Sequence, residues 1–78
     1  MPPPQGLRPL PYRKVAKRLR QLGFQPVSQE GSHVKFRHED GRRTSVPHHA
    51  REEIDRNLLK RIVSQGEIDP DEFFAAFR

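Results

Sequence analysis

The stretch that decides the fold is His33-Val34-Lys35-Phe36-Arg37-His38-Glu39-Asp40-Gly41-Arg42-Arg43-Thr44-Ser45-Val46. Apolar and polar residues alternate on both sides of an Asp-Gly pair, a pattern typical of two antiparallel strands joined by a tight turn. It predicts strands at residues 33–38 and 43–46, with Val34, Phe36 and Val46 facing a core. The opposite, solvated face then carries the basic side chains of both strands: Lys35, Arg37 and Arg43.

The segment before this hairpin predicts a helix over residues 12–22 and a short strand over 26–30. The helix has an apolar stripe at helical spacing: Tyr12, Val15, Ala16, Leu19 and Leu22. Gly23 suits the left-handed residue after a helix end, and Pro11 suits the first turn. Pro26 lacks a backbone N–H group, so the strand containing it is expected at an edge of the sheet.

The segment after the hairpin predicts two more helices. A polar connection at residues 48–53 leads to a helix over 56–65 with Asp55 as its N-cap, and a short third helix begins after Asp69. The order helix, three strands, helix, short helix predicts an α+β two-layer sandwich whose helices cover one face of the sheet. We expect residues 1–11 to form a flexible proline-rich leader and residues 12–78 to form a single domain.

Composition excludes several classes of protein. The chain has 78 residues, of which 32% are hydrophobic, which is enough for one small core but not for a large enzyme with a deep cavity. It contains no cysteine, which excludes a disulfide framework and thiolate metal sites and suits the cytoplasm. No apolar run is long enough for a membrane span, and the first residues do not form a signal peptide. We therefore expect no membrane contact.

The positive charge is concentrated in the first part of the chain. Residues 1–25 contain six basic and no acidic residues, whereas residues 52–78 contain four basic and seven acidic residues. A basic half is typical of a surface that binds nucleic acid, although a solvated basic helix face would give the same count. The basic residues on the outer face of the first helix include Lys14, Lys17 and Arg18.

The four histidines are the groups whose ordinary pKa lies nearest neutrality. His33 follows a Gly31-Ser32 turn and opens a strand whose outward residues are Lys35 and Arg37. Such a group can remove the proton of an RNA 2′-hydroxyl, which then attacks the adjacent phosphorus, while nearby cations stabilise the developing charge. The simpler interpretation is that His33 is an ordinary surface residue at a strand end.

The remaining histidines are weaker candidates. His38 lies beside the hairpin turn, and His48 and His49 are adjacent, so at most one of these two can join a site with His33. A zinc site built from His33, His49 and a carboxylate is conceivable, but no paired spacing resembles a known zinc signature.

Several motifs of the chain together resemble the HicA family, small mRNA interferase toxins of toxin–antitoxin pairs. The matching segments cover roughly residues 12–77: Leu22-Gly23-Phe24, Gly31-Ser32-His33-Val34-Lys35-Phe36-Arg37-His38, Asp40-Gly41-Arg42-Arg43, Val46-Pro47-His48-His49, Ile54, Leu59, Ile62, Gly66 and Glu72-Phe73. The chain departs from the family where Arg56-Asn57-Leu58 replaces a Pro-Gly-Thr type of helix start.

The resemblance implies a fold similar to the double-stranded-RNA-binding domain, and it implies that His33, the histidine of Gly-Ser-His, is the catalytic residue. From the placement of Gly-Ser-His and the basic half of the chain, we expect a ribonuclease that needs no metal or cofactor, with His49 as an auxiliary. The resemblance also implies an mRNA substrate and a HicB-type antitoxin that covers the site. The residues we expect to contact RNA are Ser32, Lys35, Arg37, Arg43, Lys14, Lys17 and Arg18.

Two other functions fit parts of the sequence. A non-catalytic RNA-binding module would use the same basic surface and would bind RNA without cutting it. A purely structural interaction protein would use the acidic last third, but that explains neither His33 nor the basic first helix.

Overall fold

The computed structural model describes residues 8–49 and 53–77. Its elements, in chain order, are β1 (Leu10–Pro11), α1 (Tyr12–Gln21), β2 (Phe24–Glu30), β3 (His33–His38), β4 (Arg43–Pro47), β5 (Glu53–Ile54), α2 (Arg56–Gln65), α3 (Pro70–Phe74) and a 3-10 turn (Ala75–Phe77). Strands β2, β3 and β4 form an antiparallel three-stranded sheet in the order β2-β3-β4. The predicted α+β class and the three-stranded sheet are confirmed.

The β3–β4 hairpin has the predicted register and faces. Val34 lies opposite Val46 and Phe36 opposite Thr44, and all four side chains are buried. The turn is closed by backbone hydrogen bonds, in which the His38 N–H group donates to the Arg42 carbonyl at 2.8 Å. Strand β4 extends one residue beyond the prediction, to Pro47, because proline can still occupy the last position of an edge strand.

Strand β2 is longer than predicted and irregular. It begins at Phe24, whose side chain is fully buried, and its pairing with β3 shifts between Pro26 and Ser28. Such a bulge leaves one residue unpaired and bends the strand. The extra residue is Val27, which is the exposed large hydrophobic residue of the described chain, at 59% exposure.

The helix α1 joins the sheet through a tight turn at Gly23. Gly23 has φ +94°, in the left-handed region that glycine adopts without strain, as its position after the helix end predicts. Its missing side chain makes room for His38, since a Cβ built on Gly23 would lie 2.6 Å from His38 Nε2. The His38 ring in turn packs edge-on against Phe24, with the ring centroids 5.2 Å apart.

A second, two-stranded sheet was missed by the sequence prediction. Strands β1 and β5 pair antiparallel, with Leu10 opposite Ile54, and both of these side chains are buried. The end of the predicted leader therefore packs with the domain, whereas residues 1–7 lie outside the described residues. The predicted polar connection ends in a strand, and residues 50–52 lie outside the description. Two-residue strands carry too little periodicity to be found from sequence.

The helices α1 and α2 cover the inner face of the sheet. Asp55 caps α2 as predicted, accepting a hydrogen bond from the Leu58 N–H group at 2.9 Å. One apolar cluster joins both helices to the sheet: Val15, Ala16, Leu19, Phe24, Val34, Phe36, Val46, Leu59, Ile62 and Val63. The hydroxyl of buried Thr44 donates to the Ile62 carbonyl at 2.8 Å, which links β4 to α2. This arrangement is consistent with a fold like the double-stranded-RNA-binding domain.

The short helix α3 is fixed to α1 by Arg18. Its predicted cap is present, since Asp69 accepts from the Asp71 N–H group, and Phe73 is fully buried. The guanidinium of Arg18 donates to the Phe73 carbonyl at 3.1 Å and also to the Glu72 carbonyl. A cation at this position satisfies carbonyls that the end of a helix leaves unpaired.

We predict that Gly23→Ala destabilises the fold more than Gly41→Ala does. Both residues have φ near +100° (94° and 101°), so the backbone strain is matched, but an added Cβ at Gly41 meets no atom within 4 Å. The difference, about 1 kcal/mol or more, is the cost of displacing the His38 ring. Urea unfolding of the two variants measures it, and equal losses would show that the ring moves freely.

We predict that Arg18→Met lowers the free energy of unfolding by about 1–2 kcal/mol, because it removes a charged donor from the partly buried Phe73 carbonyl and another from the exposed Glu72 carbonyl. The neighbouring Lys17→Met is the matched control, since Lys17 is exposed on the same helix, and should change stability by less than about 0.5 kcal/mol. Chemical denaturation of both variants tests this. A loss in Lys17→Met equal to that in Arg18→Met would contradict a specific role for Arg18.

Candidate functional site

The outer face of the sheet carries a row of polar and basic side chains. Alternate residues of β3 point outward, and His33, Lys35 and Arg37 are exposed while Val34 and Phe36 are buried. Same-face residues repeat about every 6.7 Å along a strand. Lys35 lies opposite Ser45, and Arg37 lies opposite Arg43. The predicted basic face is therefore present as one continuous surface.

One of these cations is partly neutralised within the sheet. The Lys35 ammonium forms an ion pair with the Glu30 carboxylate, and both groups are exposed. The hydrogen bond and charge of Lys35 hold the pKa of Glu30 below its ordinary value. An anionic ligand must therefore compete with Glu30 for Lys35.

His33 is held at the end of the sheet by the turn before it. Gly31 adopts φ +58°, and His33 then pairs with Glu30 on one side and Pro47 on the other. The turn is tied to the chain beyond β4, because the His48 N–H group donates to the Ser32 carbonyl. The His33 side chain is exposed but its backbone is fixed from both neighbouring strands.

The adjacent histidines point to different sides, as predicted from the geometry of extended chain. The His48 ring stacks on Tyr12, with centroids 3.8 Å apart and planes 9° from parallel. The pKa of Tyr12 is raised by burial, against an opposing effect of Arg20. His49 faces the other way, and its Nε2 lies 3.4 Å from Ser32 Oγ. Of the two adjacent histidines, His49 is the one that lies near the turn preceding His33.

A cleft of ≈ 440 Å³ opens between the end of the sheet and α2. Both His33 and His49 line it, which brings together the predicted catalytic residue and its predicted auxiliary. The sequence analysis did not assign the other residues that line it: Ser45, Pro47, Glu53, Ile54, Asp55, Leu58, Arg61 and Gln65. Three of them could have been grouped from the sequence. Leu58, Arg61 and Gln65 are spaced i, i+3 and i+7, which places them on one face of a helix.

A second, shallower groove of ≈ 590 Å³ lies on the outer face of the sheet. Its basic lining is Lys35, Arg37 and Arg43, and the exposed Val27 borders it. Ser45 and Gln65 line both this groove and the cleft at His33. The two depressions are therefore neighbours along one surface.

The basic residues of α1 do not join this surface. Lys14 and Lys17 are exposed on the helix, and neither lines the cleft or the groove. The guanidinium of Arg18 is bound to the carbonyls near the end of α3, which the sequence could not show. A role for Lys14, Lys17 and Arg18 in binding RNA stays a prediction, and the hydrogen bonds of Arg18 within the fold are an additional finding.

Within residues 8–49 and 53–77, no three histidine or acidic side chains are grouped as a metal site would require. The same part of the chain contains no helix long and apolar enough to cross a bilayer.

The protein is therefore a small α+β domain with an exposed histidine at the end of a basic sheet face. The family model described as "HicA toxin of bacterial toxin-antitoxin" matches residues 12–68, and the chain belongs to this family. It is a toxin of a toxin–antitoxin system, and its family implies an antitoxin partner. No curated protein matches the chain in the sequence comparison.

The Glu30–Lys35 pair predicts a measurable pKa change. Because the pKa of Glu30 is depressed in the fold, the pair stabilises the fold above the ordinary pKa of a glutamate and is lost as pH falls through the depressed value. We expect Lys35→Met to return the pKa of Glu30 toward its ordinary value in an NMR titration. Lys14→Met is the control and should leave it unchanged. A depressed pKa that survives Lys35→Met would contradict the pairing.

Proposed function

We propose that this toxin is an endoribonuclease that cleaves single-stranded mRNA, with His33 as the general base. The observation that carries the proposal is the position of His33, which lies at a cleft and at the end of an outward row of cations. An open site suffices for this reaction because the RNA brings its own nucleophile. Since mRNA is translated in the bacterial cytoplasm, the proposed activity places the toxin there.

The proposed reaction is transfer of the phosphoryl group to the 2′-oxygen. His33 removes the proton of the 2′-hydroxyl, the 2′-oxygen bonds to the adjacent phosphorus, and the bond from phosphorus to the 5′-oxygen breaks. The leaving 5′-oxygen takes a proton from His49 or from water. The products are a 2′,3′-cyclic phosphate and a 5′-hydroxyl, so atoms and protons balance without a cofactor.

The same surface supplies the electrostatic part of the proposal. Negative charge builds on the phosphate oxygens in the transition state, and preorganised cations lower its energy. Lys35, Arg37 and Arg43 line the neighbouring groove and would hold the phosphates of adjacent nucleotides. Ser32 lies within hydrogen-bonding distance of His49 and would help to orient that ring.

We further propose that the antitoxin is of the HicB type and acts by covering this site. An exposed histidine beside an open cleft can be blocked by a protein surface that lies over the end of the sheet. The basic character of the face favours a partner that presents acidic side chains to it.

We expect His33→Ala to lower the rate of RNA cleavage by about 100-fold or more, because the general base is lost. The wild type and the variant, both purified free of antitoxin, are incubated with a long single-stranded RNA in EDTA and analysed on a denaturing gel. His38→Asn is the matched control, since it removes a histidine at the other end of the same strand and should leave cleavage intact.

The substrate provides the second control. A 2′-O-methyl strand should be bound but not cut, because its 2′-oxygen has no proton to lose. Cleavage by His33→Ala at the wild-type rate would contradict the assigned base. Salt-sensitive RNA binding without cleavage by the wild-type protein would favour a non-catalytic RNA-binding module.

A further inference from the structure

Arg61 is a cation in the His33 cleft that the proposed mechanism does not use. It lies on α2 with Leu58 and Gln65, and all three residues line the cleft. The helix is held firmly, since Asp55 caps its start and Ile62 accepts a hydrogen bond from buried Thr44. Arg61 is thus an exposed side chain on a helix whose position in the fold is fixed.

Two arginines of the fold, Arg18 and Arg42, have hydrogen-bond partners within it. Arg18 donates to the Phe73 carbonyl, and Arg42 donates to the Glu67 carbonyl at 3.0 Å and to Asp40 at 2.8 Å. Across the described parts of the chain, no hydrogen bond or ion pair involves the Arg61 guanidinium. Its donors are therefore available to a ligand.

The acidic residues of the cleft do not neutralise Arg61. Asp55 uses one carboxylate oxygen to cap α2, and Glu53 is exposed on β5 without an ion pair to any described residue. The same cleft is lined by these two carboxylates and by Arg61, His33 and His49. Among the described residues, an anion that binds the Arg61 guanidinium therefore has no ion pair to displace.

We propose that Arg61 binds the phosphate group that is attacked, in the cleft that His33 also lines; this inference rests on the proposed ribonuclease function. A planar guanidinium donates two parallel hydrogen bonds to phosphate oxygens, which both orients the phosphorus and offsets charge in the transition state. From this phosphate the strand passes Ser45 and Gln65, which line both depressions, and reaches the cations of the sheet-face groove.

The assignment is tested first on binding alone, using a 2′-O-methyl strand that cannot be cleaved. We expect Arg61→Gln to weaken binding roughly 10-fold, the size of loss typical of one charged hydrogen-bonding group. The slope of log affinity against log salt should fall by about 0.7, the value for one phosphate contact with a single strand. Lys60→Gln is the matched control, because it removes the same charge from the adjacent exposed position outside the cleft.

Cleavage of unmodified RNA is measured with the same variants. We expect Arg61→Gln to lower kcat as well as raise KM. Arg61→Lys should change both constants less than Arg61→Gln does, since lysine keeps the positive charge but lacks the planar guanidinium. Circular dichroism confirms that each variant is folded, which is expected for substitutions at an exposed helix position.

The outcomes separate this inference from the proposed function. If the wild type cleaves RNA and Arg61→Gln matches Lys60→Gln in both binding and cleavage, the Arg61 assignment is overturned and the ribonuclease stands. If the wild type does not cleave but Arg61→Gln still loses binding and salt dependence, the phosphate contact stands without the ribonuclease. If Arg61→Gln raises KM but leaves kcat unchanged, Arg61 binds the phosphate, but its proposed role in the transition state is overturned.

Discussion

The alternation along β3 is the constraint on which the rest of the molecule depends. Burial of Val34 and Phe36 against the helices forces the intervening residues outward, because successive side chains of a strand point to opposite faces. A shift of one residue would bury His33, Lys35 and Arg37 and expose the core. The core and the functional surface are thus two sides of one strand, and neither can change register without the other.

The contacts around β3 explain why His33 has a defined position although its side chain is exposed. The turn at Gly31 and Ser32 is tied to His48, whose ring is stacked on Tyr12 of α1. The first helix thereby contributes to the placement of His33 through the stack of Tyr12 on His48. On the opposite side, the Thr44 hydroxyl links β4 to α2 and fixes the wall that carries Arg61. Rigid elements on both sides position side chains that are themselves open to solvent.

The sequence predicts the regular part of the fold well. The hairpin predicted at 33–46, the capped helix α2 and the left-handed Gly23 follow from alternation, an Asp N-cap and a glycine after a helix, all of which are local signals. What it missed depends on contacts between distant segments. The β1–β5 pair is too short to show a period, and the bonds of Arg18 to the carbonyl groups of Glu72 and Phe73 join residues far apart in the chain. Arg61 can be assigned to a helix from the sequence, but only the fold places it in the same cleft as His33.

The facing pair of Arg37 and Arg43 has a consequence for the lifetime of the protein. Like charges directly opposite each other on antiparallel strands repel, so this pair lowers the stability of the free fold. An anionic occupant of the face, whether nucleic acid or protein, offsets that repulsion and shifts the population toward the folded form. Proteases that act on unfolded molecules then degrade the unoccupied toxin faster than the occupied one. The arrangement that suits the face to an anion also makes the unbound chain the shorter-lived species.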